Sequence, residues 1–236
     1  ASTLGSQYIS GAFGKISMGD LDGADEVAAG GGVAGVGLTG LLDTNDIAYQ
    51  SSDHNLGYEF STSGMTFTYS QDTTVTTGSN SAMGLKYSGA MGGATVSIGL
   101  GQSKVGDATQ STMSASVTSG GLTIKAYSSS NDNGPSDKKV DQVASGTVTP
   151  GTKSLWVQGS ALVANNDTDQ TALSISYAMD AISVTAFTKT VSTSGAVDKD
   201  YSGFGFAYDM GGASLKAGVV DNNDQQLVDF GVSFSF

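Results

Sequence analysis

The chain has no cysteine and no arginine, and it has only two prolines and one histidine among 236 residues. Without cysteine it cannot form a disulfide scaffold, a thiolate metal site or a thiol nucleophile. The ten basic residues are all lysines and face 22 acidic residues, so the net charge is −12. Because phosphate contacts require a basic surface, we expect no nucleic-acid partner.

Long apolar runs are also absent. No run approaches the roughly 20 residues that a membrane-spanning helix requires. The hydrophobic fraction of 38% is low for a soluble core, and glycine is abundant, with 34 residues. A membrane-spanning strand needs only about 9–11 residues, of which alternate ones are apolar. The length suits one large β domain, and we treat residues 1–236 as a single domain.

The final segment, from Gln226 to Phe236, alternates strictly between two kinds of side chain. One face carries Val228, Phe230, Val232, Phe234 and Phe236, and the other carries Asp229, Gly231, Ser233 and Ser235. Successive side chains of a strand point to opposite faces, so this strand has one apolar side and one polar side. The pattern is typical of an antiparallel transmembrane β-barrel with lipid outside and water inside.

The same alternation recurs along the chain and predicts about thirteen strands. Eleven have a clean pattern: Leu56–Phe60, Met65–Tyr69, Met83–Tyr87, Ala94–Leu100, Met113–Val117, Leu122–Ala126, Leu173–Tyr177, Ile182–Ala186, Phe204–Tyr208, Leu215–Val219 and the final segment. Two earlier strands, around Ser6–Ser10 and Lys15–Asp20, are patterned less cleanly. On the clean strands Gly, Ser, Thr and a few charges take the inward positions, which suits an aqueous lumen better than the core of a soluble sandwich.

The connections alternate in length. Short turns are predicted at Gly11–Gly14, Ser61–Gly64, Gly89–Gly93, Ser119–Gly121, Met179–Ala181 and Asp209–Gly212. Long polar connections are predicted at Leu21–Asn55, Gln71–Ser81, Gln102–Gln110, Ser129–Gln170, Thr190–Asp200 and Asp221–Gln225. A barrel with tight periplasmic turns and longer external loops has this arrangement. The connection at about 129–170 is then a long external loop that contains Trp156.

Aromatic residues and strand parity give two further expectations. Phe60, Tyr87, Tyr177 and Tyr208 precede short turns and, with Phe236, are candidates for a ring at the membrane interface. Thirteen strands with a periplasmic C-terminus would start on the outside, whereas bacterial barrels usually have an even number of strands. We therefore expect an odd number of further strands before Ala1, or closing strands supplied in another way.

Three segments resemble the general porins of the Rhodobacter type. The run from Ser10 to Asp20, SGAFGKISMGD, resembles the turn and strand that enter the third loop of these porins. Asn45–Tyr49 resembles the exit of that loop, and Tyr201–Phe236 is similar to the C-terminal strands. The resemblance implies a sixteen-stranded barrel whose first three strands are missing here. It implies a homotrimer in a Gram-negative outer membrane, in contact with lipid and lipopolysaccharide, that passes small polar solutes and ions.

The resemblance also implies a constriction loop folded into the lumen, at about residues 20–55. Its acidic candidates are Asp20, Asp22, Asp25, Glu26, Asp43 and Asp46. By alternation, Lys86, Lys125, Lys216 and Lys15 point inward and are candidate lumen bases. Acids that face bases across a constriction create a transverse field, and pore diameter and lining charge then set selectivity. The alternatives are a solvated surface loop for the acids and a rim position for each lysine.

Other chemistry has weaker support. Asp20, Asp22, Asp221 and Asp224 are a possible calcium site, since calcium prefers clustered oxygen ligands. No other cofactor is expected. The single histidine, His54, is predicted to be a loop residue and makes neither a metal site nor a triad alone. We therefore expect a passive channel and not an enzyme. The competing interpretation is a non-conducting adhesin or structural β protein, membrane-borne or secreted.

Overall fold

A computed structural model of the chain describes residues 5–38, 41, 45–50, 54–75, 80–132 and 167–234. In these ranges thirteen strands form one antiparallel sheet in which each strand pairs with its sequence neighbours. The strands are β1 (Gln7–Gly11), β2 (Gly14–Leu21), β3 (His54–Thr62), β4 (Met65–Gln71), β5 (Asn80–Met91), β6 (Ala94–Val105), β7 (Ala108–Ser119), β8 (Leu122–Asp132), β9 (Thr168–Met179), β10 (Ile182–Thr193), β11 (Lys199–Asp209), β12 (Ala213–Asn222) and β13 (Gln225–Phe234). The predicted all-β class and the thirteen strands are confirmed.

The distribution of apolar and polar side chains over the two faces of the sheet is the reverse of that in a soluble protein. Large apolar side chains on the outer face are exposed, and both Met113 and Phe204 are 54% accessible. Polar side chains on the inner face are buried, including Gln110 and Ser174. Exposed apolar area of this extent requires an apolar surrounding. The sheet thus has the faces of a barrel in lipid.

Two of the connections predicted to be long are turns of only two residues. Strands β6 and β7 are joined by residues 106–107 alone, and β12 and β13 by residues 223–224 alone. Gly106, Asn223 and Asp224 have positive φ angles of 63°, 51° and 69°, as tight hairpin turns require. The alternation of apolar residues stops at the edge of the lipid, but the backbone pairing continues beyond it. Gln102–Val105, for example, was predicted as loop and pairs with Ala108–Ser111.

Residues 22–53, which join β2 to β3, are here called the inner loop. It contains the helix α1 (Ala24–Ala29). We call residues 30–38 its outbound arm and residues 45–50 its return arm. No helix in the described ranges is long and apolar enough to span a membrane.

The sheet curves around the inner loop. The amide of Ala34 donates to Ser174 Oγ on β9, at 3.1 Å, and the amide of Leu38 donates to the Asp229 carboxylate on β13, at 3.0 Å. Four residues of extended chain span at most about 14 Å. In a flat sheet β9 and β13 would lie about 19 Å apart. The wall must therefore bend toward the loop, so the loop lies on the concave, inner face.

The main cluster of buried apolar residues lies between this loop and the wall. Ala29, Val33, Val36, Leu41 and Ile47 of the loop pack there. The wall contributes Tyr127, Ala172, Phe187 and Val220 to the same cluster. Apolar packing in the described chain is thus concentrated where the inner loop contacts the wall.

Candidate functional site

The helix α1 lies on strands β4 to β7. Ser70 Oγ accepts the Ala24 amide at 2.7 Å, and Thr68 Oγ1 donates to the Ala24 carbonyl at 2.9 Å. Ser70 pairs one of the amide groups that a helix N-terminus leaves unpaired, and Thr68 adds a second hydrogen bond to the same residue. Asp25 and Glu26 lie in the first turn, where the helix dipole favours acidic residues. The wall therefore fixes the beginning of the helix.

The return arm is held by two glutamines of the wall. Gln110 on β7 accepts the Gln50 amide at 2.6 Å and donates to the Ala48 carbonyl at 2.9 Å. Gln170 on β9 accepts the Ala48 amide at 3.3 Å and donates to the same carbonyl at 3.2 Å. Both glutamines are buried. They supply hydrogen-bond partners to the backbone of Ala48 and Gln50, which pairs with no strand of the sheet.

Tyr49 and Lys189 give the return arm further support. The Tyr49 hydroxyl donates to the Gly30 carbonyl at 2.7 Å and is also hydrogen-bonded to the Tyr127 hydroxyl of β8. Burial raises the pKa of Tyr49, and the hydrogen bond with Tyr127 adds to the shift, so the phenol stays neutral. Lys189 Nζ on β10 donates to the Asp46 carbonyl and lies 5.4 Å from the ring centre of Tyr201. Four strands, β7 to β10, hold the return arm.

Asp25 is completely buried under α1. Among the described residues, neither of its carboxylate oxygens has a hydrogen bond of standard geometry. Burial raises its pKa, and the nearby Ser103 hydroxyl, backbone amides and His54 only partly offset this. A buried, unpaired carboxylate favours its protonated form. Asp25 therefore belongs to the attachment of the loop and not to an exposed acidic surface, although the sequence grouped it with the lumen acids.

The structure brings four of the predicted acids together. Burial raises the pKa of Glu26, and the neighbouring carboxyl groups of Asp22, Asp25 and Asp46 raise it further. Asp22 and Asp46 are exposed. Asp20 lies apart from the inner loop, on β2, because the strand continues through a register shift after Met18. Asp43 lies outside the described residues.

The four predicted bases are inner-face residues in different surroundings. Lys125 on β8 lies near Gly30 and within electrostatic range of Lys86 on β5 and of Asp46. Lys15 forms an ion pair with Glu59, at 3.7 Å. Lys216 borders a groove near the short turns of β9 to β12, with Asp180 and Asp209. Lys86 and Lys125 thus accompany the acidic loop, and the other two do not.

The remaining candidates are placed as follows. Phe60, Tyr87, Tyr177 and Tyr208 are accessible on the outer face, next to short turns, and their assignment to a membrane interface stays a prediction; Phe236 lies outside the described residues. Asp221 accepts the amide of Asp224 in the β12–β13 turn, far in sequence from Asp20 and Asp22. Within the described ranges, no three His, Cys, Asp or Glu side chains gather closely enough to hold a metal ion. Calcium binding stays a prediction.

The expectation for His54 was wrong. It begins β3, is 1% accessible, and contacts Ser70 Oγ at 2.6 Å and Asn80 Oδ1 at 2.9 Å through its two ring nitrogens. Ser70 in turn accepts the Ala24 amide. His54 therefore supports the start of α1 from behind. Trp156 lies outside the described residues.

Sequence reasoning did not identify the following residues as ones that hold the loop: Gln110, Gln170, Lys189, Asp229, Tyr49 and Tyr127. One signal was present, since Lys189 and Tyr127 are large side chains at inward positions otherwise filled by Gly, Ser and Thr. Gln110 and Gln170 fell at the ends of segments predicted as loops.

This architecture, a lipid-facing antiparallel barrel wall with a loop fastened along its inner face, defines an outer-membrane barrel of the porin type. No protein-family model matches the chain. A porin from Rhodobacter capsulatus is 30% identical over an alignment of 257 residue positions. The alignment covers 98% of this chain and 81% of that porin. The chain belongs to the porin family, and the protein is located in a Gram-negative outer membrane.

Solved structures agree. A porin structure refined at 1.8 Å is 27% identical, with a TM-score of 0.70 over 97% of this chain and 80% of that chain. OmpT from Vibrio cholerae, solved in a trimer form, is 16% identical, with a TM-score of 0.56 over 95% of this chain and 77% of that chain. The OmpT match supports the fold alone. The resemblance seen in the sequence is confirmed.

Proposed function

We propose that the protein is a passive diffusion channel for small hydrophilic solutes and ions across the outer membrane, and not an enzyme. The observation that carries this proposal is the attachment of the inner loop along the inner wall, from β4 at Thr68 to β13 at Asp229. A loop that is held along the wall occupies space on one side of the lumen and so narrows the lumen. Pore diameter and lining charge then decide what passes.

The charges near the loop support a cation preference. Asp22, Glu26 and Asp46 lie close together, while Lys86, Lys125 and Lys189 are wall residues beside the loop. Rings of carboxylates favour cations in pores. The protein is also acidic overall, with a net charge of −12.

We further propose a homotrimer whose outer face contacts lipid and lipopolysaccharide. The trimer form of the similar OmpT supports this assembly. Small outward residues such as Ala115, Ala126 and Ala217 permit close approach of a neighbouring barrel wall. The exposed apolar residues of the outer face supply the lipid contact.

Single-channel recording tests the proposed function. The full-length protein, extracted in detergent and checked by intact mass, is inserted into a planar bilayer under a salt gradient. We expect stepwise openings that come in threes. We also expect a reversal potential whose sign shows that the channel prefers cations. Inserted protein of full mass that never conducts would contradict the channel and favour the adhesin interpretation.

The acidic cluster should set the sign of selectivity. The triple variant Asp22→Asn, Glu26→Gln, Asp46→Asn removes three negative charges beside the narrowed part of the lumen. We expect the reversal potential to move toward that of an unselective or anion-preferring pore, because the lining charge is lost. Asp198→Asn, at an exposed position of the β10–β11 turn, is the control and should leave the reversal potential unchanged. Equal potentials for the triple variant and the wild type would refute the role of the cluster.

A further inference from the structure

Six inner-face glycines lie directly beneath the inner loop. Gly84, Gly99 and Gly101 of β5 and β6 lie under α1, and we call them the helix seat. Gly205 and Gly218 of β11 and β12 lie under the outbound arm, and we call them the arm seat; Gly231 of β13 lies under the Leu38 side chain at the end of that arm. None of the six has a positive φ, so no backbone conformation requires glycine there. Since glycine weakens a strand interior, its presence marks close approach of another backbone.

The helix seat leaves no space for a side chain. A Cβ atom built on Gly99 would lie 2.3 Å from the Ala28 carbonyl oxygen and 2.8 Å from Ala29 Cα. A Cβ atom on Gly84 would lie 2.3 Å from the Ala24 carbonyl oxygen. These are backbone atoms, which cannot rotate away as the end of a side chain can. The backbone of α1 therefore lies this close to the wall only because these glycines have no Cβ atom.

The arm seat has the same character at Gly218. Its Cβ would lie 2.5 Å from the amide nitrogen of Gly37 and 2.6 Å from Gly37 Cα. The Cβ of Gly231 would instead meet the tip of a side chain, Leu38 Cδ2, at 2.5 Å. A leucine methyl group can move without the loop backbone. The two glycines are therefore a matched pair for experiment.

We propose that Gly99 and Gly218 set the distance between the inner loop and the wall, and so the cross-section of the pore. This inference rests on the proposed channel function. Ordinary contacts begin at 3.4 Å. Alanine at Gly99 thus needs about 1.1 Å more space than the present 2.3 Å, and alanine at Gly218 about 0.9 Å more than 2.5 Å. Strands β6 and β12 are paired on both sides over most of their length, so the loop yields and moves into the lumen.

The test combines conductance with hydrogen exchange in the full-length protein. For Gly99→Ala, Gly218→Ala and the double variant we expect single-channel conductance roughly 1.2- to 2-fold lower, with the strongest effect in the double variant. We also expect faster deuterium uptake in residues 24–30 for Gly99→Ala and in residues 33–38 for Gly218→Ala. The controls are Gly231→Ala and Gly89→Ala, where a Cβ meets only Leu38 and Tyr87 side-chain atoms. Both controls should keep wild-type conductance and exchange.

The two readouts separate the inference from the proposed function. If the wild type conducts and both seat variants match the controls in conductance and exchange, the inference is wrong. If the seat variants raise conductance, the loop detaches instead of shifting, and the inference is also wrong. If the wild type does not conduct but the seat variants still take up deuterium faster in the loop, the seats position the loop and the proposed channel function is wrong.

Discussion

Replacing Gln110 by leucine is expected to free the return arm of the inner loop from the wall. The change removes hydrogen bonds to the Gln50 amide, the Ala48 carbonyl and the Ser129 hydroxyl. Ser129 is only 2% accessible, so water does not readily replace the lost partner. Each buried polar group left unsatisfied costs about 1–3 kcal/mol. We expect residues 45–50 to exchange deuterium at least about tenfold faster, and the open channel to become noisier.

Controls and a coupled variant sharpen this prediction. Gln102→Leu, at an exposed position on the neighbouring strand, should behave as the wild type. Gln110→Glu keeps the acceptor for the Gln50 amide but loses both side-chain donors. Its exchange in residues 45–50 should lie between those of the wild type and Gln110→Leu if the added carboxyl group is neutral, and should exceed that of Gln110→Leu if the group is charged. Gln170 shares the Ala48 carbonyl with Gln110, so the effects of Gln110→Leu and Gln170→Leu should not add. Wild-type exchange in Gln110→Leu would show that the glutamine bonds do not hold the arm.

The strands could be predicted from the sequence because lipid imposes a simple pattern. Every second residue of a spanning strand must be apolar, so β3 to β13 are visible as alternation wherever they cross the membrane. Where the strands extend beyond the lipid, as at Gln102–Val105, the outward positions become polar and the pattern disappears. The β6–β7 hairpin was therefore mistaken for a long loop.

The attachments of the loop could not be predicted, because they join residues far apart in the chain. Leu38 and Asp229 are 191 residues apart, and Ala48 and Gln170 are 122 residues apart. Alternation identifies the inward positions but not which of them the loop covers. Gly218 and Gly57 have the same inward phase, yet Gly218 meets loop backbone and Gly57 meets mainly Leu21.

The acidic composition of the loop predicted charged residues in the lumen, but it did not show which acids face the lumen and which are buried. Asp22 and Asp25 are three residues apart and looked equivalent. The helix turns Asp25 toward β6 and buries it, whereas Asp22 precedes the helix and stays exposed. Only the position of α1 on the wall distinguishes a lumen charge from a buried acid.

The attachment of α1 should weaken as the pH rises, because Asp25 must keep its proton to remain buried. Burial raises the folded-state pKa of Asp25 above its ordinary value of 3.8. The native state then holds the proton more tightly than the unfolded chain. The stabilisation is complete below the ordinary pKa and is lost as the pH rises from there through the folded-state pKa. Above that pH, α1 must either bury an unpaired charge or leave the wall.

The variant Asp25→Asn tests this directly, since asparagine keeps the shape but cannot ionise. At pH 8 we expect residues 24–30 to exchange several-fold more slowly in the variant than in the wild type, after correction for intrinsic rates. At pH 4 the two proteins should match. Asp22→Asn, an exposed carboxylate before the same helix, should show no such pH-dependent difference. His54, Glu26, Tyr49 and Tyr127 also face this region. A pH response that persists unchanged in Asp25→Asn would refute the role of Asp25.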